Sequence, residues 1–138
     1  MAQNKTTHVL IIEDEPGFRL IYRGVLENAG FKVSEAMDGR TGAEMAKKIK
    51  PDIILLDLVL PELNGYEVLT KIRGDKITEN IPVIIFSVLG AEKDIQKGFE
   101  LGANDYRIKG ASSPIVIVDK IRGLLNKDDL DLDTIAPQ

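Results

Sequence analysis

The run Ile53-Ile54-Leu55-Leu56 constrains the fold more than any other segment of the chain. Successive apolar positions mean that a strand built from it must be covered on both faces, as a central strand is in a parallel sheet flanked by helices. Asp57 follows directly, so this strand ends by delivering one carboxylate to the carboxyl edge of the sheet, the edge at which such sheets bind ligands. Beyond it, Leu58-Val59-Leu60-Pro61-Glu62-Leu63-Asn64-Gly65 carries a Pro and a Gly that set a turn before the next helical segment.

Three other strand ends point to the same edge. Thr7-His8-Val9-Leu10-Ile11-Ile12 reads as a first strand and runs into Glu13-Asp14-Glu15. In a parallel sheet these acids and Asp57 converge, and uncompensated like charges raise one another's pKa, so a hard divalent cation is their natural partner. Mg²⁺ suits carboxylate, carbonyl and water oxygens and keeps positions open for a phosphoryl group, with Mn²⁺ the alternative. The strand Ile81-Pro82-Val83-Ile84-Ile85-Phe86 leads to the hydroxyl of Ser87, and Asp105-Tyr106-Arg107-Ile108 leads to the ammonium of Lys109. An acid pair, a lone acid, a hydroxyl and a lysine, each at a strand's carboxyl end, form a phosphoryl-transfer site with Asp57 as nucleophile.

Between the strands lie segments with helical spacing: Phe18, Ile21, Tyr22, Val25 and Ala29; Gly42, Met45, Ala46 and Ile49; Val68, Leu69 and Ile72; Ala91, Ile95, Gly98 and Phe99. Each presents one apolar stripe, as a helix lying on a sheet requires. Gly30 and Gly102 fit left-handed helix caps. Ile115-Val116-Ile117-Val118 is β-branched, yet Ser113-Pro114 makes a good N-cap with Pro at the first helical position, and Ile117, Val118, Ile121 and Leu125 keep helical spacing, so a last helix is predicted. Strand and helix thus alternate through the chain, which implies right-handed crossovers and a doubly wound α/β sheet.

With these residues in place, the chain from about Thr7 to about Asn126 resembles the receiver domain of two-component response regulators. The resemblance is carried by Glu13 and Asp14, by Asp57 with Pro61 and Gly65 behind it, and by Ser87, Tyr106 and Lys109. It implies a flavodoxin-like, five-stranded parallel sheet in the order 2-1-3-4-5 with five helices, as in the chemotaxis-type receivers. It also implies that Asp57 takes a phosphoryl group from a phosphohistidine of a histidine kinase or phosphotransfer protein. Mg²⁺ would be held by Asp14, by Asp57, by the backbone carbonyl of Val59 and, through water, by Glu13. Ser87 and Lys109 would bind the aspartyl phosphate, and movement of Ser87 would let Tyr106 turn inward. The face of the fourth helix, fifth strand and fifth helix would then signal to an output domain or downstream protein, or form a phosphorylation-dependent homodimer. Such a protein catalyses only its own phosphorylation and dephosphorylation. Three departures stand out: Gly110 follows Lys109 where the family usually has Pro, which leaves the lysine loop less constrained; Val88 follows Ser87 where a small residue is usual, which narrows the entrance; and Val59 and Leu89, two positions after Asp57 and Ser87, are apolar and offer no hydrogen bond to orient an attacking water.

Composition bounds the remaining classes. The net charge of −4 and pI near 5.1 argue against direct nucleic-acid binding by this domain, which needs clustered Lys and Arg. The absence of cysteine excludes disulfides and thiol chemistry, and no apolar run nears the roughly 18 residues a membrane span needs, so a cytoplasmic protein is expected. Residues 1–6 read as a disordered N-terminus, 7–126 as the receiver, and 127–138 as an acidic tail or linker stub. A haloacid-dehalogenase-like phosphatase would need a second acid two residues after Asp57, where this chain has Val59. The alternative is a pseudo-receiver that binds partners without being phosphorylated, whose hallmark would be a lost acid or lysine. His8, at the far end of the first strand, reads as incidental.

Overall fold

The computed structural model describes residues 6–126; the tail expected at 127–138 and most of the N-terminal segment lie outside them. The elements run β1 (His8–Ile12), α1 (Pro16–Asn28), β2 (Lys32–Ala36), α2 (Gly39–Ile49), β3 (Ile53–Leu56), α3 (Gly65–Arg73), β4 (Val83–Ser87), α4 (Glu92–Glu100), β5 (Asp105–Ile108) and α5 (Ile115–Leu125). All neighbouring strands pair in parallel, in the order β2-β1-β3-β4-β5. This is the flavodoxin-like order that the resemblance implied.

Alternation along the strands sorts the core into two layers. Leu10, Ile12, Ile54, Leu56, Val83 and Ile85 face α2, α3 and α4, where Ala46, Val68, Leu69 and Ile72 meet them. Val9, Ile11, Ile53, Leu55, Ile84 and Phe86 face α1 and α5, where Tyr22, Leu26, Ile117, Val118 and Ile121 close the second layer. Side chains in a strand point alternately to opposite faces, so β3 is buried throughout because both layers claim it. Register then brings the strand ends level: Ile12 lies beside Leu56 and Leu56 beside Ile85. The residues that follow, Glu13 and Asp57, are therefore neighbours, and the Asp57 N–H donates to the Ile12 carbonyl at 3.0 Å.

Gly30 and Gly102 adopt φ of +98° and +108°, the left-handed conformation expected after α1 and α4. The helix stripes depart from expectation in two places. In α1, Ile21 is 51% exposed and Leu26 is fully buried in its stead, while in α4 Phe99 is 46% exposed and Ala91, at the cap position before the helix, is exposed. The reason in α4 is Gly98: a Cβ there would stand 2.7 Å from Ile85 Cδ1, so the helix backbone itself lies against the sheet and Phe99 is turned outward. The last segment is helical, as predicted, because Ile117, Val118 and Ile121 bury on one face. Its start differs by one residue, with Pro114 at the cap position; the Ser113 carbonyl accepts from Val116 N–H at 3.0 Å, and no side chain caps the helix. No helix among the described residues is long and apolar enough to cross a membrane.

Candidate functional site

The carboxyl ends of β1, β3, β4 and β5 meet in one cluster. Asp57 is 4% exposed; its Oδ1 accepts from the Val59 N–H at 3.3 Å and its Oδ2 lies 3.4 Å from Lys109 Nζ. Glu13 is 3% exposed; its Oε2 accepts from the Glu15 N–H at 3.1 Å. Its Oε1 has Lys109 Nζ at 2.5 Å, an ion-pair distance without hydrogen-bond alignment. The lysine thus contacts both acids, with Glu13 its nearer partner. Asp14 is exposed at the rim, and one oxygen from each of the three acids lies within 4.8 Å of the others. Oxygen donors at this spacing, with a buried carboxylate oxygen lacking an aligned donor, fit a hard divalent cation.

Ser87 is fully buried, its Oγ accepting from the Leu89 N–H at 3.2 Å. The Lys109 N–H donates to the Ser87 carbonyl at 2.8 Å, which ties β5 to β4 beside the acids. Tyr106 is buried, and its hydroxyl donates to the Leu89 carbonyl at 2.5 Å. The inward position expected only after phosphorylation is therefore already occupied, because Leu89 offers its carbonyl and α4, brought close by Gly98, leaves the ring a packed slot. Burial pushes the Tyr106 hydroxyl up to about 12, so it stays protonated and able to donate. Val88, expected to narrow the entrance, is 61% exposed. Gly110 has φ of +82°, which proline cannot adopt, so the loop after Lys109 follows a path specific to glycine. His8 sits at the opposite end of β1, its ring hydrogen-bonded to Ser34 Oγ at 2.7 Å and apart from the acids, as expected.

Two neighbours of the site were not singled out as functional from sequence. Phe18 was placed only in a core stripe, yet its ring centroid lies 4.1 Å from Lys109 Nζ. Arg19 donates from Nη1 to the Glu13 carbonyl at 2.9 Å and from Nε to Glu35 at 3.1 Å, fixing the start of the acidic loop on β2. The available signal was their place one turn into the helix that follows the acids.

Burial sets the electrostatics. Loss of solvation pushes Glu13 up to about 7; Lys109 pulls the other way and Asp57 adds to the rise. Burial likewise raises Asp57, opposed by Lys109 and by the Val59 N–H. A folded-state pKa above the unfolded one means that the folded protein binds the extra proton. Metal-free stability from Glu13 is thus full below about pH 4.5 and is lost as pH rises through about 7, a loss on the order of 3 kcal/mol. His8, which burial lowers, works in the opposite direction near neutrality, so the comparison must be with Glu13→Gln. Urea denaturation in EDTA should show wild type losing ground to Glu13→Gln between about pH 5 and about pH 8, with Mg²⁺ closing the gap. Parallel profiles for the two proteins would contradict the assignment.

Residues 9–122 match the family model of the response regulator receiver domain. With its fold and strand-end residues, the chain belongs to that receiver family. It is 37% identical over 121 residues to the DNA-binding dual master transcriptional regulator RpaA of Synechocystis sp., covering 88% of this chain and 50% of that protein. It is also 37% identical over 122 residues to the transcriptional regulatory protein SrrA of Staphylococcus aureus, covering 88% and 49%. The chain spans about half the length of these curated relatives. Among solved structures, the response regulator domain of Thermotoga maritima CheB superposes with a TM-score of 0.77 at 30% identity, covering 88% of this chain and 98% of that one.

Proposed function

We propose that this receiver accepts a phosphoryl group on Asp57 from a phosphohistidine presented by a histidine kinase or phosphotransfer protein. The observation that carries this is the convergence of Glu13, Asp14, Asp57, Ser87 and Lys109 at the carboxyl edge of one parallel sheet, with Asp57 and Lys109 3.4 Å apart. An Asp57 carboxylate oxygen attacks phosphorus in line, the phosphorus–nitrogen bond breaks, and the histidine nitrogen leaves with the electron pair. Asp14, Asp57, the Val59 carbonyl and, through water, Glu13 are the groups that would hold Mg²⁺, with Mn²⁺ as the alternative. Such an ion neutralises the charge that builds on the phosphoryl oxygens and the carboxylates.

Lys109 then shifts its pairing toward the new dianion, and the Ser87 hydroxyl donates to it. Ser87 Oγ holds the Leu89 N–H while the Leu89 carbonyl holds the Tyr106 hydroxyl, so rotation of Ser87 pulls on the loop that Tyr106 grips. The moving part is therefore the loop after β4, with the tyrosine ring as its anchor. Phosphorylation would bias this element through the one or two charge-assisted hydrogen bonds it creates. Val88, Phe99, Ile108 and Ile115 are exposed apolar residues on or beside α4, β5 and α5, which suits that face to an output domain, a downstream protein or a second phosphorylated copy. The test is incubation with acetyl phosphate in Mg²⁺ or in EDTA, read by intact mass. One added phosphoryl group in Mg²⁺ alone is expected; no addition in either condition would instead favour a receiver that binds partners unphosphorylated.

A further inference from the structure

We propose that the aromatic rings of Phe18 and Phe86 form a seat that orients the Lys109 ammonium, which makes Phe18 a positioning residue for phosphoryl transfer. This rests on the role proposed above for Lys109. Lys109 Nζ lies 4.1 Å from the Phe18 ring centroid and 5.2 Å from that of Phe86. Both lie within the roughly 6 Å over which a ring face attracts a cation, and the attraction grows when water is excluded. Water is largely excluded here, since the Lys109 side chain is 5% exposed.

The seat is itself held in place. Phe18 meets Phe86 edge-on at 6.0 Å and 90°, Tyr22 meets Phe86 at 4.2 Å and 80°, and Phe18 stacks on Tyr22 at 6.4 Å. Edge-to-face contacts of this kind fix ring orientation, so the ring faces presented to the lysine do not wander. Phe86 and Tyr22 belong to the buried layer between α1, α5 and the sheet, which anchors the seat to the core.

Such a seat is needed because backbone bonds, from the Lys109 N–H to the Ser87 carbonyl at 2.8 Å and from the Ala111 N–H to the Ile108 carbonyl at 3.2 Å, fix where the lysine starts but not where its ammonium lies. Gly110, at φ of +82°, carries no side chain, so it adds no side-chain packing to the loop that follows the lysine. The lysine stem is a flexible four-carbon chain carrying a point charge, and two carboxylates compete for it. Glu13 Oε1 at 2.5 Å already outcompetes Asp57 Oδ2 at 3.4 Å. The rings keep the ammonium within reach of Asp57 where the acids alone would leave it on Glu13.

The test compares wild type, Phe18→Leu, Phe18→Tyr, Lys109→Ala and the Phe18→Leu/Lys109→Ala double variant. Their phosphorylation by acetyl phosphate is followed in saturating Mg²⁺. Leucine keeps an apolar side chain without a ring face, and Phe18→Leu is expected to slow uptake about tenfold, equivalent to about 1.4 kcal/mol. Tyrosine keeps the face, and Phe18 is only half-buried, so Phe18→Tyr should restore the rate. In the Lys109→Ala background, Phe18→Leu should cost nothing further, because a residue acting through Lys109 has nothing left to act on. A second readout needs no phosphorylation: in metal-free protein, ring currents should shift the Lys109 ε-methylene protons upfield in wild type and Phe18→Tyr, and clearly less in Phe18→Leu, where only the more distant Phe86 ring remains. An equal loss in both backgrounds, or an upfield shift that Phe18→Leu leaves undiminished, would overturn the seat. Should wild type take up no phosphoryl group, or Lys109→Ala react at full speed, the proposed site chemistry falls, and the methylene shift still decides whether the seat exists.

Discussion

Asp57→Asn should take up no phosphoryl group from acetyl phosphate under conditions in which the wild-type protein is fully labelled. The expected loss is at least about a thousandfold, because an amide is not a nucleophile at neutral pH and no other carboxylate shares the position of Asp57. Asp14 is at the exposed rim, and Glu13, though buried, is already paired with Lys109 at 2.5 Å. The loss should not come from unfolding. Asn has the shape of Asp, and removing one of the crowded charges relieves part of what raises Glu13, so the metal-free variant should melt no lower than wild type. Intact mass and thermal melting on the same samples check both statements. Labelling of Asp57→Asn at the wild-type rate would move the acceptor elsewhere.

Gly65→Ala should be the most disruptive single methyl in the loop that carries the site. A Cβ on Gly65 would stand 2.3 Å from the Asp57 carbonyl oxygen and 2.6 Å from Leu58 Cα. Both atoms are backbone, so no side-chain rotation relieves the clash. The Gly65 N–H also donates to the Leu58 carbonyl at 3.0 Å, which holds the start of α3 against the end of β3. Either α3 backs away and loses that bond, or the backbone of Asp57 shifts and the carboxylate leaves its place beside Lys109. A cost of about 3 kcal/mol is expected, a fall of about 10 °C in melting temperature for a chain of this size. Gly24→Ala is the matched control. It lies inside α1 with nothing within 4 Å of its added Cβ, so the same change should stabilise by about 0.5 to 1 kcal/mol through helix propensity. If both variants melted together above wild type, the close approach at Gly65 would be refuted.

The order of the elements and the residues at the strand ends were legible along the chain. An apolar run such as Ile53–Leu56 must be covered on both faces, and the residue after it then stands at the carboxyl edge whatever the rest of the fold does. That local rule placed Asp57, Glu13, Ser87 and Lys109 on one edge without reference to strand order. The left-handed caps at Gly30 and Gly102 were likewise local, because only backbone sterics decide them. Strand order was not local, and it came from family resemblance until the pairings showed it.

What stayed hidden depends on how separate elements meet. A helical stripe gives the side of a helix that packs but not its rotation to within one residue, so Ile21 and Phe99 were assigned to the core along with Gly98, while Leu26 packs in place of Ile21 and in α4 the backbone at Gly98 lies against the sheet. The inward setting of Tyr106 depends on a carbonyl in another loop and on the depth at which Gly98 seats α4. The preference of Lys109 for Glu13 over Asp57, and its contact with Phe18, are differences of about an ångström among groups from β1, β3, β5 and α1. Spacing along a chain carries which groups share an edge. Distances between groups on different elements arise only when sheet register and helix packing are satisfied together, and those distances decide which charge a lysine neutralises.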